Sequence, residues 1–318
     1  MLGTKKKDGS KKMEKVPVLF IIFNNSDFVA KCFEPIRQYK PKQLFIAQDG
    51  ARAFIKDEKE KILQVREWIL NNIDWDCEIK TMFLSENLGP ARAVSSFLKW
   101  YFSQVEYGIV LEHDCLANKD FFDFCAELLV KYKDNENICT ISGFNVLGKS
   151  EQSTDSYFFT HTQQLWGWAS WQRTFKDYDI YLRDYTLKEF KANIKDTLIF
   201  KHEKRASIEK FLAMKKQAYN TWDHQLFYYC LRHKAINIEP KYNLVSNIGF
   251  SSQAIHCKNE NSFLANNPTY NILPLKHPTL IKVNDAEEEK IYKKFWYKSA
   301  LQLLVRFLDR VLFMKKQF

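Results

Sequence analysis

The stretch Tyr107-Gly-Ile-Val-Leu-Glu112-His113-Asp114 decides how this chain is read. A short apolar run stops abruptly in two carboxylates around a histidine, and Cys115-Leu-Ala-Asn118 turns away behind it. Apolar strands that alternate with helical patterns predict an open α/β sheet, and such sheets bind ligands at the carboxyl ends of their strands. Gathering acidic side chains at that rim costs free energy unless something positive sits among them. A hard divalent cation carrying a diphosphate meets that need, because Mg²⁺ and Mn²⁺ prefer carboxylate, water and phosphate oxygens. Taken alone, the triplet fits equally well an ordinary acidic loop with a surface histidine, so its neighbours have to decide.

Working outward, the first 140 residues alternate strand and helix. Strands are expected at Val16–Asn24, Gln43–Gln48, Cys77–Leu84 and Tyr107–Leu111. Helices are expected from Ser26, read as an N-cap, to about Tyr39, and over Asp57–Asn71, Ala91–Gln104 and Lys119–Tyr132. In the second of these, Ile62, Val65, Ile69 and Leu70 share one face. That spacing is the one right-handed βαβ units require, and it implies a mostly parallel sheet flanked by helices. From about Asn145 the pattern turns irregular and aromatic-rich, then helical over Ser207–Ala218 and Trp222–Leu231, with short strands near Ile236–Glu239 and Asn243–Ser246. The expected organisation is a basic leader at 1–15, a nucleotide-sugar-binding half at 16–145, an acceptor-binding half at 146–284, and a basic amphipathic helix at 285–318.

The 318 residues, 46% hydrophobic and 15% aromatic, are enough for a sizeable core. Seven cysteines with no Cys-x-x-Cys pair fit a reducing compartment better than a disulfide framework or a zinc site. No apolar stretch approaches the roughly 18 residues of a membrane span and no signal peptide is evident, so a cytoplasmic protein is expected. The net charge of +10 suggests nucleic acid until it is mapped. Residues 1–15 hold six lysines against Asp8 and Glu14, and residues 290–318 hold eight lysines and arginines against Asp309 alone, so the tails carry +4 and +7 and the body −1. The expected partner of the tails is an anionic membrane surface rather than nucleic acid. From Trp296 onward, Ala300, Leu303, Leu304, Phe307, Leu308, Val311 and Met314 recur at helical spacing opposite basic residues. Such a stripe serves either as an interfacial anchor on the inner face of a plasma membrane or as a packing face against the body.

Four further segments carry chemistry. Gln48-Asp49-Gly50 ends the second strand, where a carboxylate can accept from a base or ribose; by itself it is also a plain Asp-Gly turn. Asn87-Leu-Gly-Pro-Ala-Arg92 opens a helix, and Arg92 suits bidentate pairing with phosphate, or is simply exposed beyond a helix-capping loop. Trp166-Gly-Trp168-Ala-Ser-Trp171 reads either as a flat apolar platform for a sugar face or as a buried aromatic cluster. Thr221-Trp222-Asp223-His224-Gln225 sets an acid at a helix start, and Ser246 to His256 sets a histidine after a glycine loop.

In this order the segments resemble the GT-A-fold glycosyltransferases that use nucleotide-diphosphate sugars, and within them bacterial family-2-like enzymes related to N-acetylglucosaminyltransferase I. The resemblance spans roughly residues 16–257 and rests on Pro17–Asn24, Ala47–Gly50, Asn87–Gly89 with Arg92, the acidic triplet, Gly167–Trp171 and Trp222–Gln225. It implies an α/β, Rossmann-like GT-A fold and an inverting, metal-dependent enzyme that transfers a hexosyl or N-acetylhexosaminyl group in cell-surface polysaccharide biosynthesis. Its implied partners are a UDP-linked donor and a glycan or glycolipid acceptor. By the resemblance, Glu112-His113-Asp114 stands at the DxD position and Asp114 binds Mn²⁺ or Mg²⁺, joined by His256. Asn24, Asp49, Arg92, Glu112 and His113 contact the nucleotide sugar, Gly167 and Trp168 line the boundary between donor and acceptor, and Asp223 is the catalytic base. Relatives often carry an acid where this chain has His113, which bears on metal affinity and the ribose contact. Two other functions fit part of the pattern. A sugar-1-phosphate nucleotidylyltransferase pairs a similar sheet with acidic metal ligands, but it resembles a glycine-rich phosphate loop that Phe20–Ser26 lacks. A non-catalytic glycan- or membrane-binding protein on a transferase scaffold would also keep these segments.

Overall fold

The computed structural model describes residues 15–151, 153–217, 220–250 and 262–296. His256 and the apolar stripe beyond Trp296 lie outside the described residues, as does nearly all of the basic leader.

The first half builds as its periodicity requires. In chain order it runs β1 (Val18–Ile22), α1 (Ser26–Tyr39), β2 (Gln43–Gln48), α2 (Glu58–Asn71), β3 (Glu78–Phe83), α3 (Gly89–Phe102), β4 (Tyr107–Glu112), the short β5 (Cys115–Ala117) and α4 (Lys119–Lys131). The cap of α1 is Asn25 rather than Ser26: its side chain accepts from the Phe28 amide at 3.0 Å, so the helix starts one residue earlier than expected. Leu70, expected on the buried face of α2, is 40% exposed, while Ile62, Val65 and Ile69 are buried; Leu70 directly follows Ile69 and so lies about 100° further round the helix.

The second half holds more regular structure than its irregular composition suggests. β6 (Ile138–Ser142), β7 (Tyr157–Thr160) and β8 (Trp168–Trp171) precede α5 (Gln172–Phe175), α6 (Leu187–Thr197), α7 (Lys201–Lys215) and α8 (Asp223–Arg232). Then come β9 (Ile236–Pro240), β10 (Val245–Asn247) and α9 (Asp285–Trp296). Eight strands form one sheet in the order β3-β2-β1-β4-β8-β6-β9-β7. The block β3-β2-β1-β4 is wholly parallel, β8 runs antiparallel to both β4 and β6, β6 and β9 are parallel, and β7 closes the edge antiparallel. The sheet is therefore mostly parallel and continuous across residue 145, so the two expected halves share one scaffold.

Both faces of the sheet are covered, which is why its strands read as unbroken apolar runs. Alternate residues of β1 point to opposite layers. Val18, Phe20 and Ile22 pack with α1, α2 and α4, while Leu19 and Ile21 pack with α3 and Trp222. Trp168 and Trp171 on β8 follow the same rule, one in each layer, and both are essentially inaccessible. The Trp171 indole donates to the Leu129 carbonyl at 3.1 Å, but Nε1 of Trp168 has no partner among the described residues. The platform reading of the tryptophan triplet therefore fails for two of its three members. A strand with helices on both sides buries its tryptophans whichever way they point.

Four cysteines, Cys32, Cys77, Cys115 and Cys125, are free, and Cys139 on β6 is bonded to Cys230 on α8. The expectation of unpaired cysteines is corrected at that pair, 91 residues apart in sequence.

The burial of Trp168 sets a stability test. Trp168→Ala should cost about 3–5 kcal/mol by removing a large core side chain. Trp168→Phe should cost less, because it deletes an N–H that already lacks a partner. Urea unfolding of both variants measures the difference, and equal costs would mean that Nε1 is hydrogen-bonded after all.

Candidate active site

The order of strands in the parallel block reverses between β1 and β4, and open α/β sheets bind ligands at the carboxyl ends of the strands at that reversal. Glu112 ends β4 there, with Asn24 just beyond β1. The His113 amide still donates to the Ile21 carbonyl at 2.9 Å, so the triplet leaves the sheet under control of the ladder. The chain then turns into β5, which pairs antiparallel with β10 so that Cys115 faces Asn247. This small ribbon brings the Asn247-Ile-Gly249 turn against Asp114. The Asp114 carbonyl accepts from the Ile248 amide at 2.8 Å, and its Oδ2 accepts from Asn247 Nδ2 at 3.4 Å. Gly249 lies so close to the Asp114 carboxylate that a Cβ there would overlap it. Sequence reading found this glycine but not its role; the Asn-x-Gly spacing was the available signal, and the Gly249 amide does donate to Asn247 Oδ1 at 2.9 Å.

Asp223 arrives from the far side, in the first turn of α8. Three contacts place it. Asn220 Oδ1 accepts from the Ala91 amide at the start of α3 at 3.2 Å. The Trp222 ring stacks on Trp168 with centroids 5.7 Å apart, and the Trp222 carbonyl accepts from the Tyr178 hydroxyl at 3.0 Å. Asp223 Oδ1 accepts from the Thr221 hydroxyl and the His224 amide, and Oδ2 has no hydrogen bond among the described residues. Beside it, Lys210 Nζ lies 3.1 Å from His224 Nε2; burial pushes both groups down in pKa, and the charge of Asp223 opposes this.

The structure thus brings Glu112, Asp114 and Asp223 to one rim. Burial, then the charges of Asp114 and Asp223, push the Glu112 carboxyl up to about 8. Burial pushes the His113 imidazole down against the pull of Asp114. The guanidinium of Arg92, exposed on the first turns of α3, has no ion-pair or hydrogen-bond partner among the described residues. Among the described residues, acids outnumber bases at this rim, and no lysine or arginine forms an ion pair with Asp114.

Other expected contacts are placed differently. Asp49 is buried, and its two oxygens accept from the amides of Gly50, Leu88 and Gly89, each at 2.9 Å, and from Asn87 Nδ2 at 3.0 Å. Four donors use the four lone-pair positions of a carboxylate, so Asp49 ties the end of β2 to the start of α3 and has none left for a nucleotide. Asn24 donates to Glu58 Oε1 at 2.7 Å, and Glu58 is buried under Arg52, whose Nε donates at 3.0 Å. Burial would raise Glu58, but the Arg52 and Asn24 hydrogen bonds outweigh it and hold the carboxyl below its usual range. Gly167 has a φ of +62° and packs under Val245 and Leu111, where any Cβ would collide. Gly167 and Trp168 support the rim from below rather than line it. The exposed part of the triplet is Trp166, half-buried and edge-on to Phe250 at 5.7 Å. Next to the rim, an open cleft of about 500 Å³ lies at the ends of β2 and β3, bordered by Gly50, Arg52, Glu58, Arg66, Leu84 and Ser85.

Among the described residues, no three His, Cys, Asp or Glu side chains are arranged to hold a metal ion. No helix among them is long and apolar enough to cross a membrane.

No family model matches the sequence, and no curated protein does. Among solved structures, the chain is similar to the mannosyltransferase PcManGT from Pyrobaculum calidifontis, in complex with GDP-Man and Mn²⁺, at 14% identity and a TM-score of 0.38, over 70% of this chain and 71% of that one. It is also similar to a UDP-glucose pyrophosphorylase complexed with UDP-glucose, at 7% identity and a TM-score of 0.35, over 73% and 93% of the two chains. Mouse xyloside xylosyltransferase 1 matches at 9% identity and 0.32, over 69% and 82%. At such low scores these likenesses do not bear on what this chain binds.

Two substitutions test the site's construction. Asp49→Asn should destabilise the protein by about 1–3 kcal/mol, because an amide turns a donor toward amides that need an acceptor. Unchanged stability in denaturant would return Asp49 to direct ligand contact. Gly249→Ala should displace the Asp114 carboxylate and lower any activity that depends on it, with the melting temperature little changed.

Proposed function

We propose that the protein is an inverting, metal-dependent glycosyltransferase that moves a sugar from a nucleoside-diphosphate donor to a glycan or lipid-linked acceptor. The observation that carries this reading is the convergence of Glu112, Asp114 and Asp223 at the switch point, with Glu112 raised by the other two. Like charges held together at a half-exposed rim call for a cation there. Mg²⁺ or Mn²⁺ held by one or two carboxylates takes its remaining ligands from water and diphosphate, which fits a rim that has acids but no preformed cage. Asp114 and Glu112 would hold that ion, and when bound it would stabilise charge on the departing diphosphate.

The chain's own residues account for the other half of the reaction. The acceptor oxygen forms its bond to the anomeric carbon as the bond from that carbon to the diphosphate oxygen breaks, and the electron pair leaves with the diphosphate. The acceptor's proton passes to Asp223. Thr221 and the His224 amide hold Oδ1, so Oδ2 is the oxygen that receives it. A single base with no covalent intermediate gives inversion at the anomeric carbon. Arg92, exposed in the first turn of α3, suits the donor's phosphates as a bidentate partner. The cleft beside Gly50 and Ser85 suits the nucleoside, here read as uridine. The basic tails suit a cytoplasmic protein that works at the inner face of a membrane, on glycans bound for the cell surface.

Asp114→Asn should abolish metal-dependent donor binding together with turnover. Asp223→Asn should leave donor affinity within a few fold and slow transfer by roughly 10²-fold or more, since a general base acts only as the proton moves. Calorimetry with UDP-sugars and Mn²⁺ beside a nucleotide-release assay separates the two. Near-normal transfer by Asp223→Asn would remove it as the base. Release of pyrophosphate from a nucleoside triphosphate and a sugar phosphate would favour the nucleotidylyltransferase reading.

A further inference from the structure

A second gathering of carboxylates lies away from the rim, where α9 meets the β9-β7 edge of the sheet. Glu239 on β9 and Glu287 on α9 are inaccessible to solvent, Glu288 is nearly so, and Glu203 on α7 is half-buried. Few bases face them. His161 Nδ1 lies 3.2 Å from Glu288 Oε1, Lys290 donates to Glu287 Oε1 at 3.1 Å, and Lys204 lies near Glu203. The Thr162 hydroxyl donates to Glu239 Oε1 at 2.9 Å. The second oxygens of Glu239 and Glu287 are sealed from solvent without a hydrogen-bond partner among the described residues. Tyr292 of α9 stacks on Phe200, and its hydroxyl is affected by the charge of Glu203.

Three buried acids and a half-buried fourth against so few bases need a source of neutrality. These side chains are not arranged to share a metal ion, so the remaining source is protons on Glu239 and Glu203. Burial, then Glu288 and Glu287, push Glu239 up to about 8; burial, then Glu288, push Glu203 up to about 7. We propose that Glu203, Glu239, Glu287 and Glu288 form a proton-held clasp that keeps α9 docked on the sheet edge and loosens it as the pH rises.

The sign follows from linkage. With α9 docked, Glu239 and Glu203 bind protons more tightly than they would in water, so docking takes up protons between about pH 4.5 and 8. The clasp is strongest below that window, weakens through it, and changes little above it. Apart from the clasp, α9 is held by Ile291 in a small cluster with Phe144, Val146 and Phe158, and by the Asn284 amide on the Phe159 carbonyl at 2.8 Å. Loosening is therefore local to α9, and the activity proposed for the other rim does not enter the argument.

The test is hydrogen exchange on the full chain between pH 6 and 9, corrected for intrinsic rates, with peptides over Asp285–Trp296 compared with α4. Protection of α9 should fall by about tenfold or more relative to α4 across that range. Glu239→Gln, a neutral isostere that still accepts from Thr162, should keep α9 protected at pH 9. Should that variant fail to fold, Glu203→Gln at the half-buried side of the cluster should show the same change at smaller size. A parallel fall in α9 and α4, or an unaltered pH response in a folded variant, would overturn the clasp. Restoration of wild-type α9 protection at pH 9 by millimolar Ca²⁺ or Mn²⁺ would overturn it in favour of a cation site.

Discussion

Asp49 connects the parts that the rest of the site depends on. Its carboxylate accepts from Gly50, Asn87, Leu88 and Gly89, and so fixes the end of β2 to the first turn of α3. The next amide along that helix, Ala91, is taken by Asn220, which leads directly to Trp222 and Asp223. One saturated carboxylate thus begins a chain of hydrogen bonds that ends at the acid opposite Glu112. Charge-assisted bonds to backbone amides are among the stronger ones available, and a buried acid with every lone pair used has no competing geometry. The same chain of contacts presents Arg92 outward while satisfying the helix N-terminus from within.

The two gatherings of acids differ in what can reach them. At the switch point Glu112, Asp114 and Asp223 are each half-buried, so solvent reaches them. At the sheet edge Glu239 and Glu287 are fully enclosed, with oxygens that meet neither solvent nor a donor. Repulsion among acids is common to both. On the two readings proposed above, access decides whether a cation or a proton relieves it, so similar residue types would serve ligand binding in one place and docking of a helix in the other.

Most of the parallel block was legible in the sequence, and so was the position of the acidic triplet at its rim. Strict alternation of strand and helix leaves few topologies, and the abrupt stop from Leu111 to Glu112 marks a strand end whatever lies beyond. The roles of Asp49 and Asn24 were not legible. An acid at a strand end looks the same whether its partners are a ligand or the backbone of a loop 39 residues later, as the Leu88 amide is for Asp49. The partners of Asn24 and Glu58 lie 34 residues apart and meet only once α2 has packed. Hydrogen bonds of that span have no sequence period to announce them.

The tryptophan triplet shows the same limit in packing. Trp166, Trp168 and Trp171 lie close together in sequence, yet β8 sends Trp168 to one helical layer and Trp171 to the other, and leaves Trp166 before the strand at the half-exposed edge. Large side chains alternating with small ones describe a wall only if the strand has one open face. Here β8 is inserted between β4 and β6, and the helices on both sides close both faces. The small residues have their own work in that arrangement: Gly167 gives the chain a left-handed turn under Val245, and the Ser170 hydroxyl donates to the Cys139 carbonyl at 2.7 Å. Trp168 then reaches the site through Trp222, whose stacked ring sets the direction in which α8 begins and hence where Asp223 points. The motif serves the rim without touching it.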